Sequence, residues 1–262
     1  MSDEERVRDV NSYYGNYWTE GGFCPHGESW PGLEQLFAKY LPRDGKILDV
    51  GCGDALTSGP LIALGTRKYV GVDLSDSAVL LARQNGFDAE RIKDAGEIPF
   101  EDDQFDAAVC IEVFEHLFLP HIMAREILRV LKPNGVLIAT VPNAAHWRRR
   151  LEVGFFGLFD PYGDNRSRSE PWRDPHIRFF TPASLGRMLQ TCGFDKVFVG
   201  GNSTVPLKGM RGISRAYWLL HSSRFYNTIE RACPSLLSFR AHAVAHKPMD
   251  GARVPSATRP PK

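Results

Sequence analysis

Lys46-Ile-Leu-Asp49-Val-Gly51-Cys-Gly53-Asp54 runs an apolar segment straight into two closely spaced glycines. Ile47, Leu48 and Val50 predict a short buried strand. Gly51 and Gly53 supply conformations, and a closeness of approach, that a Cβ would block. A strand ending in such a turn offers its backbone to a nucleotide-like ligand. Gly-x-Gly alone is a common pattern, but the next apolar run, Tyr69-Val-Gly-Val72, ends in Asp73. That acid lies about 20 residues past the glycines, where ribose-binding carboxylates sit in doubly wound folds.

The glycine pattern separates two kinds of cofactor. A dinucleotide site calls for a third glycine at the position occupied here by Leu56, and for a helix N-terminus aimed at the pyrophosphate. Asp49, just before the glycines, would share a pocket with that anion and repel it. It suits a cationic ligand, or else bonds the amides of the glycine turn. At this point the chain resembles the class I S-adenosylmethionine-dependent methyltransferases, whose first motif is acid-x-Gly-x-Gly, of the type that acts on small molecules and glycans. Their third small residue is often Gly and here is Ala55.

The resemblance extends over roughly residues 46 to 200. It implies that Asp49, Gly51, Cys52 and Gly53 line the cofactor, that Asp73 with Leu74 binds ribose, and that Asp94 and Ala95 meet the adenine. Phe105-Asp-Ala-Ala-Val-Cys-Ile111-Glu112-Val-Phe-Glu115-His116 is similar to the family's fourth strand and the turn that leaves it, with Ile111 an apolar contact. Leu131-Lys-Pro-Asn-Gly135 and the run after it resemble the junction into the fifth strand. The implied fold is α/β: a doubly wound, mostly parallel, Rossmann-like sheet of seven strands with a helical insertion before the last. The implied cofactor is S-adenosyl-L-methionine.

Strands are expected near 46–51, 69–73, 90–93, 106–111, 135–141, 194–200 and 241–247, alternating with helices as in a sheet covered on both faces. Ser75 caps the helix carrying Val79 to Leu81 and Gly86 ends it; Pro60 makes the first helix short or irregular. With 262 residues and 43% hydrophobic content, the chain has material for one sizeable core and accessory segments. The expected organisation is an aromatic leader and cap helix over 1–45, a methyltransferase domain over 46–247, and a disordered tail over 248–262. The leader holds Tyr13, Tyr14, Tyr17, Trp18, Phe23 and Trp30, rings that close over the ligands or pack on the sheet edge.

A formal charge of +1 supplies no global field for nucleic acid. Five scattered cysteines without a Cys-x-x-Cys pair read as reduced thiols and not as a zinc site, so no metal is expected. The acidic N-terminus lacks an apolar leader and no run of ~18 apolar residues occurs, which points to the cytoplasm.

Methyl transfer from sulfonium needs alignment and, for an oxygen nucleophile, a proton acceptor. His176 and His116 are the candidate catalytic bases, with His121, His146, Glu112, Glu115 and Asp160 behind them. Each of the two leading histidines has a structural alternative: His116 as a residue supporting the cofactor edge, His176 as an anchor for the helix that Thr181 caps. Two segments carry the acceptor preference. Residues 143–180 are too long for an ordinary connection and hold seven arginines against five acids. Residues 203–240 contain Lys208, Arg211, Arg215, Arg224, Arg231 and Arg240 against Glu230, a basic amphipathic stretch suited to a membrane surface, a homodimer interface or a cap over the pocket.

The reading is therefore a methyltransferase acting at a hydroxyl oxygen of a small-molecule, saccharide or lipid-linked acceptor, located in the cytoplasm or at the inner face of the membrane. Its rivals are a non-catalytic binding protein that scaffolds a partner enzyme and a nicotinamide-dependent oxidoreductase.

Overall fold

The computed structural model describes residues 32–64, 66–94, 96–157, 176–202 and 224–249. The aromatic leader, Ala95, most of the 143–180 segment, Asp160, the first part of the 203–240 insertion and the end of the tail lie outside them. In chain order the described elements begin with helix α1 (Leu33–Tyr40), strand β1 (Asp44–Val50), α2 (Gly59–Ile62), β2 (Thr66–Asp73), α3 (Asp76–Gln84) and β3 (Ala89–Arg91). They continue with β4 (Phe105–Ile111), a 3-10 turn Phe114–His116, α4 (Pro120–Val130), β5 (Leu131–Pro142) and α5 (Trp147–Phe156). The last are α6 (Pro182–Thr191), β6 (Asp195–Asn202), α7 (Arg224–Ala232), α8 (Pro234–Leu237) and β7 (Arg240–His246).

The seven strands form one sheet in the order β3-β2-β1-β4-β5-β7-β6. β1 pairs in parallel with both β2 and β4, whereas β7 runs antiparallel between β5 and β6. The α/β sheet expected from the sequence is present, with its single reversed strand at β7. Strand periodicity of two sends alternate residues to opposite faces. Leu48 and Val50 of β1, with Ala108 and Cys110 of β4, join a core that α4 and α6 close with Met123, Ile127, Leu128, Leu185 and Leu189. Ile47, Ala107 and Val109 point the other way, against Phe37, Ile62, Val79 and Ala82 of α1, α2 and α3. The second half of β1, Ile47 to Val50, is thus buried throughout because both of its faces are covered.

Local signals set the element ends. Ser75 Oγ accepts from the Ala78 amide at 3.3 Å, capping α3, and Gly86 takes a φ of 86° just beyond it. α2 lasts four residues with Pro60 in its first turn. Thr181 and Ser184 form a reciprocal capping box at α6, Ser184 N–H donating to Thr181 Oγ1 at 3.2 Å and Thr181 N–H to Ser184 Oγ at 2.9 Å.

Arg240, counted with the basic insertion in the sequence, belongs instead to β7, where its Nε faces Glu112 Oε2 at 3.4 Å. Its charge is turned toward the site and not toward an outer surface. Among the described residues no helix is long and apolar enough to cross a membrane.

Candidate active site

β1 lies between β2, which follows it, and β4, so the strand order changes direction between β1 and β4. Ligands of open α/β sheets bind at the carboxyl edge of such a switch point. The sequence delivers the glycine turn to that edge. Gly51 has a φ of 70° and Gly53 a φ of 56°; a Cβ at Gly51 would overlap the Val113 side chain in the loop after β4. The amides of Gly51 and Cys52 both donate to Val72 O, at 2.8 and 3.0 Å, which pins the turn to the end of β2. Ala55, the residue replacing the third glycine, is fully buried and itself left-handed, with a φ of 64°. The backbone keeps the path that a glycine would take.

Asp73 closes β2 and braces this turn. Its Oδ2 accepts from Gly53 N–H at 3.0 Å and its Oδ1 from Ser75 N–H at 2.9 Å. Desolvation raises its pKa while these amide bonds pull it back down. The acid that bonds the glycine turn is therefore Asp73, a role that the sequence had offered to Asp49.

Asp49 is 1% exposed, and its Oδ2 accepts from the Tyr69 hydroxyl at 2.9 Å. Burial pushes its pKa up to about 7, against the hydrogen bonds from Tyr69 and Ser58, and the charge of Asp73 adds to the rise. Two neighbouring buried acids, the charge of one disfavouring ionisation of the other, make an edge where a ligand's positive charge is welcome. Of the other expected contacts, Cys52 is buried, with its thiol pKa raised by burial. Leu74 and Ile111 are half-buried against the two cores. Asp94 is exposed in the loop after β3, its Oδ1 taking the Gly96 amide at 2.6 Å.

The other half of the site follows β4. Glu112 turns the chain with a φ of 55°; its Oε1 accepts from Thr140 Oγ1 at 3.1 Å. The 3-10 turn then presents Glu115 and His116. Sixty residues later the chain returns: the amides of Ile177 and Arg178 both donate to Glu115 O at 3.0 Å, and Arg178 Nη2 donates to Phe118 O at 2.7 Å. This strap stacks the His176 ring on His116, centroids 4.8 Å apart and 19° between planes. Each Nε2 lies 3.8 Å from Glu115 Oε1. Glu115 is 1% exposed and neither of its carboxylate oxygens has a hydrogen-bond partner among the described residues. Desolvation, then the charge of Glu112, holds its pKa well above the usual carboxylate range.

The two leading histidines thus converge, and the sequence missed that Glu115 sits between them. The remaining pair stand apart. His146 is buried beside Trp147 and Phe239, and burial with the nearby Arg149 and Arg148 lowers its pKa to about 4. His121 sits at the start of α4, its carbonyl accepting from Cys192 Sγ on the α6 side.

A glycine turn, a brace to the β2 acid and a switch-point crevice are the features with which an open α/β sheet receives a nucleotide-like ligand. A methyltransferase domain model matches residues 28–198. The Idiomarina loihiensis protein named ubiquinone biosynthesis O-methyltransferase is 30% identical over 225 residues, covering 79% of this chain and 86% of that protein. A probable S-adenosylmethionine-dependent methyltransferase of Mycolicibacterium smegmatis is 28% identical over 78% of this chain and 75% of its own length. Haemonchus contortus phosphoethanolamine N-methyltransferase 2, solved with S-adenosyl-L-methionine, superposes with a TM-score of 0.58 at 17% identity, covering 91% of this chain and 57% of that one, a likeness of fold. The chain belongs to the class I S-adenosylmethionine-dependent methyltransferases. Its cofactor is S-adenosyl-L-methionine, which the glycine turn and the Asp73 edge fit.

Proposed function

We propose that the chain methylates a hydroxyl oxygen of a small molecule. The observation that carries this reading is the convergence of Glu115, His116 and His176 immediately after β4, one turn from Val113, which packs on Gly51. Bound S-adenosylmethionine supplies a methyl group already activated by sulfonium. What remains for the protein is to align the acceptor and to ease the departure of its proton, a contribution of about 10² to 10⁴-fold. A neutral amine has less need of such a cluster than an alcohol or phenol has. The relative named an O-methyltransferase of ubiquinone biosynthesis supports an oxygen acceptor.

The rim of the cluster favours an acceptor with an apolar portion. Phe118 and Phe179 flank the strap and are exposed. Lipid-linked acceptors fit this surface better than bare saccharides, and a peripheral membrane contact through the basic insertion would serve the same acceptor. In the test, labelled S-adenosylmethionine is offered with parallel panels of phenols, sugars and amines, and the products are read by mass spectrometry. Label is expected on the hydroxylated apolar panel, with His176→Gln lowering the rate about 100-fold or more while the cofactor affinity holds. Label confined to amines would refute the proposal.

A further inference from the structure

We infer that Glu115, His116 and His176 form a binding site for one divalent transition-metal ion beside the methyl-transfer edge. Their donor atoms all lie within 4.8 Å of one another, each imidazole Nε2 standing 3.8 Å from Glu115 Oε1. That spacing is too long for a hydrogen bond, which closes at about 2.7 to 3.2 Å. It is close to what a shared ion requires: with metal–donor bonds of about 2.0 to 2.2 Å, donors around a zinc-sized ion stand roughly 3 to 3.5 Å apart. Contraction by a few tenths of an ångström brings each imidazole to the carboxylate spacing, and the widest donor pair, within 4.8 Å, closes by roughly 1 Å through small side-chain rotations.

Glu115 supplies the independent observation. A carboxyl group 1% exposed, with neither oxygen hydrogen-bonded among the described residues, is an expensive arrangement that a bound cation would repay. Glu112 does not fill this role, because Thr140 and Arg240 occupy its two oxygens. The ligand frame is built by the fold and not by chance surface residues. Glu115 and His116 are fixed by the 3-10 turn, and His176 is held by the two amide bonds of the next residues to the Glu115 carbonyl.

The donor set selects the metal. Two imidazoles and one carboxylate favour zinc, cobalt, iron or manganese over magnesium or calcium, whose sites are built from oxygen. Three protein ligands on one face leave positions open for water or for another oxygen ligand. The ligand class for those positions follows from the proposed O-methyl transfer, on which this part rests: an acceptor hydroxyl bound to the ion would lose its proton to solvent at a lower pH.

The test uses cobalt(II) as probe on the full chain stripped with a chelator. One equivalent should bind with the visible absorption of a nitrogen-containing low-symmetry site, and zinc(II) should displace it. Glu115→Gln and His176→Ala should each weaken binding by about 100-fold or more, and His116→Gln is a third variant should either fail to fold. Affinity for S-adenosylhomocysteine, within about threefold of the parent, shows that each variant is folded. Absence of a stoichiometric cobalt or zinc site in the folded parent overturns the inference, as does a site that all three substitutions leave unchanged. Metal binding without O-methylation would leave this site standing and refute the proposed activity. Full O-methylation in the presence of chelator, with no ion bound, would uphold the proposed activity and refute the part given to the ion in it.

Discussion

The Tyr69 hydroxyl donates to Asp49 Oδ2 at 2.9 Å from the neighbouring strand, and it reaches that far because Gly71 has no side chain. A Cβ at Gly71 would stand 2.9 Å from the hydroxyl and 2.7 Å from Cys52 Sγ. Register pairs Asp49 with Gly71, so the glycine opposite the acid leaves the space through which the tyrosine bonds it. The first-motif acid is therefore a buried group with a pKa near neutrality.

Between its ordinary pKa of 3.8 and the folded value of about 7, Asp49 keeps a proton in the native chain that the unfolded chain has released. Stability accordingly falls as pH rises through that window and stays at the lower level above it. At 1.36 kcal/mol per unit the ceiling is about 4 kcal/mol. Asp49→Asn should raise the unfolding free energy of the cofactor-free protein by about 2 to 4 kcal/mol at pH 8 and by little at pH 4. Urea titrations at the two pH values measure this; an equal change at both would contradict the assignment.

Gly51 and Ala55 share the left-handed region but differ in tolerance. Gly51→Ala places a methyl group against Val113 as well as straining the backbone, and should cost more than about 2 kcal/mol. Ala55→Gly relieves about 1 to 2 kcal/mol of strain. It gives back about 0.5 to 1 kcal/mol of chain entropy and about 0.8 kcal/mol of methyl burial. Its stability should stay within about 1 kcal/mol of the parent, as denaturant midpoints will show.

His146 has the opposite pH sign. With a folded pKa near 4 against an ordinary 6.5, it stays neutral while the unfolded chain takes up a proton. Its stabilisation is complete above 6.5 and is lost as pH falls toward 4. His146→Phe keeps a ring between Trp147 and Phe239. Relative to the parent, this variant should gain about 2 kcal/mol on going from pH 8 to pH 5, read from chemical unfolding at each pH.

Much of the fold was legible because its signals are local. The apolar runs gave β1, β2 and β4, while Ser75, Gly86 and Pro60 marked the helix ends where the structure has them. Asp73 at the end of β2 was legible for the same reason, but its bond to Gly53 was not, since the sequence offered the amides of the glycine turn to Asp49. Ala55 kept a glycine's backbone, which its residue type gave no reason to expect. The Tyr69 to Asp49 bond depends on strand register, and the meeting of His176 with Glu115 depends on a strap that closes 60 residues later. Neither pairing has a local periodicity to betray it. The Asp-Pro-His-Ile-Arg run before α6 was the one available signal for the second. Arg240 was misplaced in the insertion because its charge said nothing of the strand it begins.

We propose that the β1–β4 edge holds the adenosyl sulfonium donor, with Asp73 as the ribose partner. Isothermal titration with S-adenosylhomocysteine tests it most directly. Micromolar binding to the parent is expected, about −7 to −8 kcal/mol. A loss of roughly 1.5 to 3 kcal/mol is expected in Asp73→Ala, with cooperative unfolding retained. An affinity unchanged by Asp73→Ala, or a preference for NADH over S-adenosylhomocysteine, would contradict it.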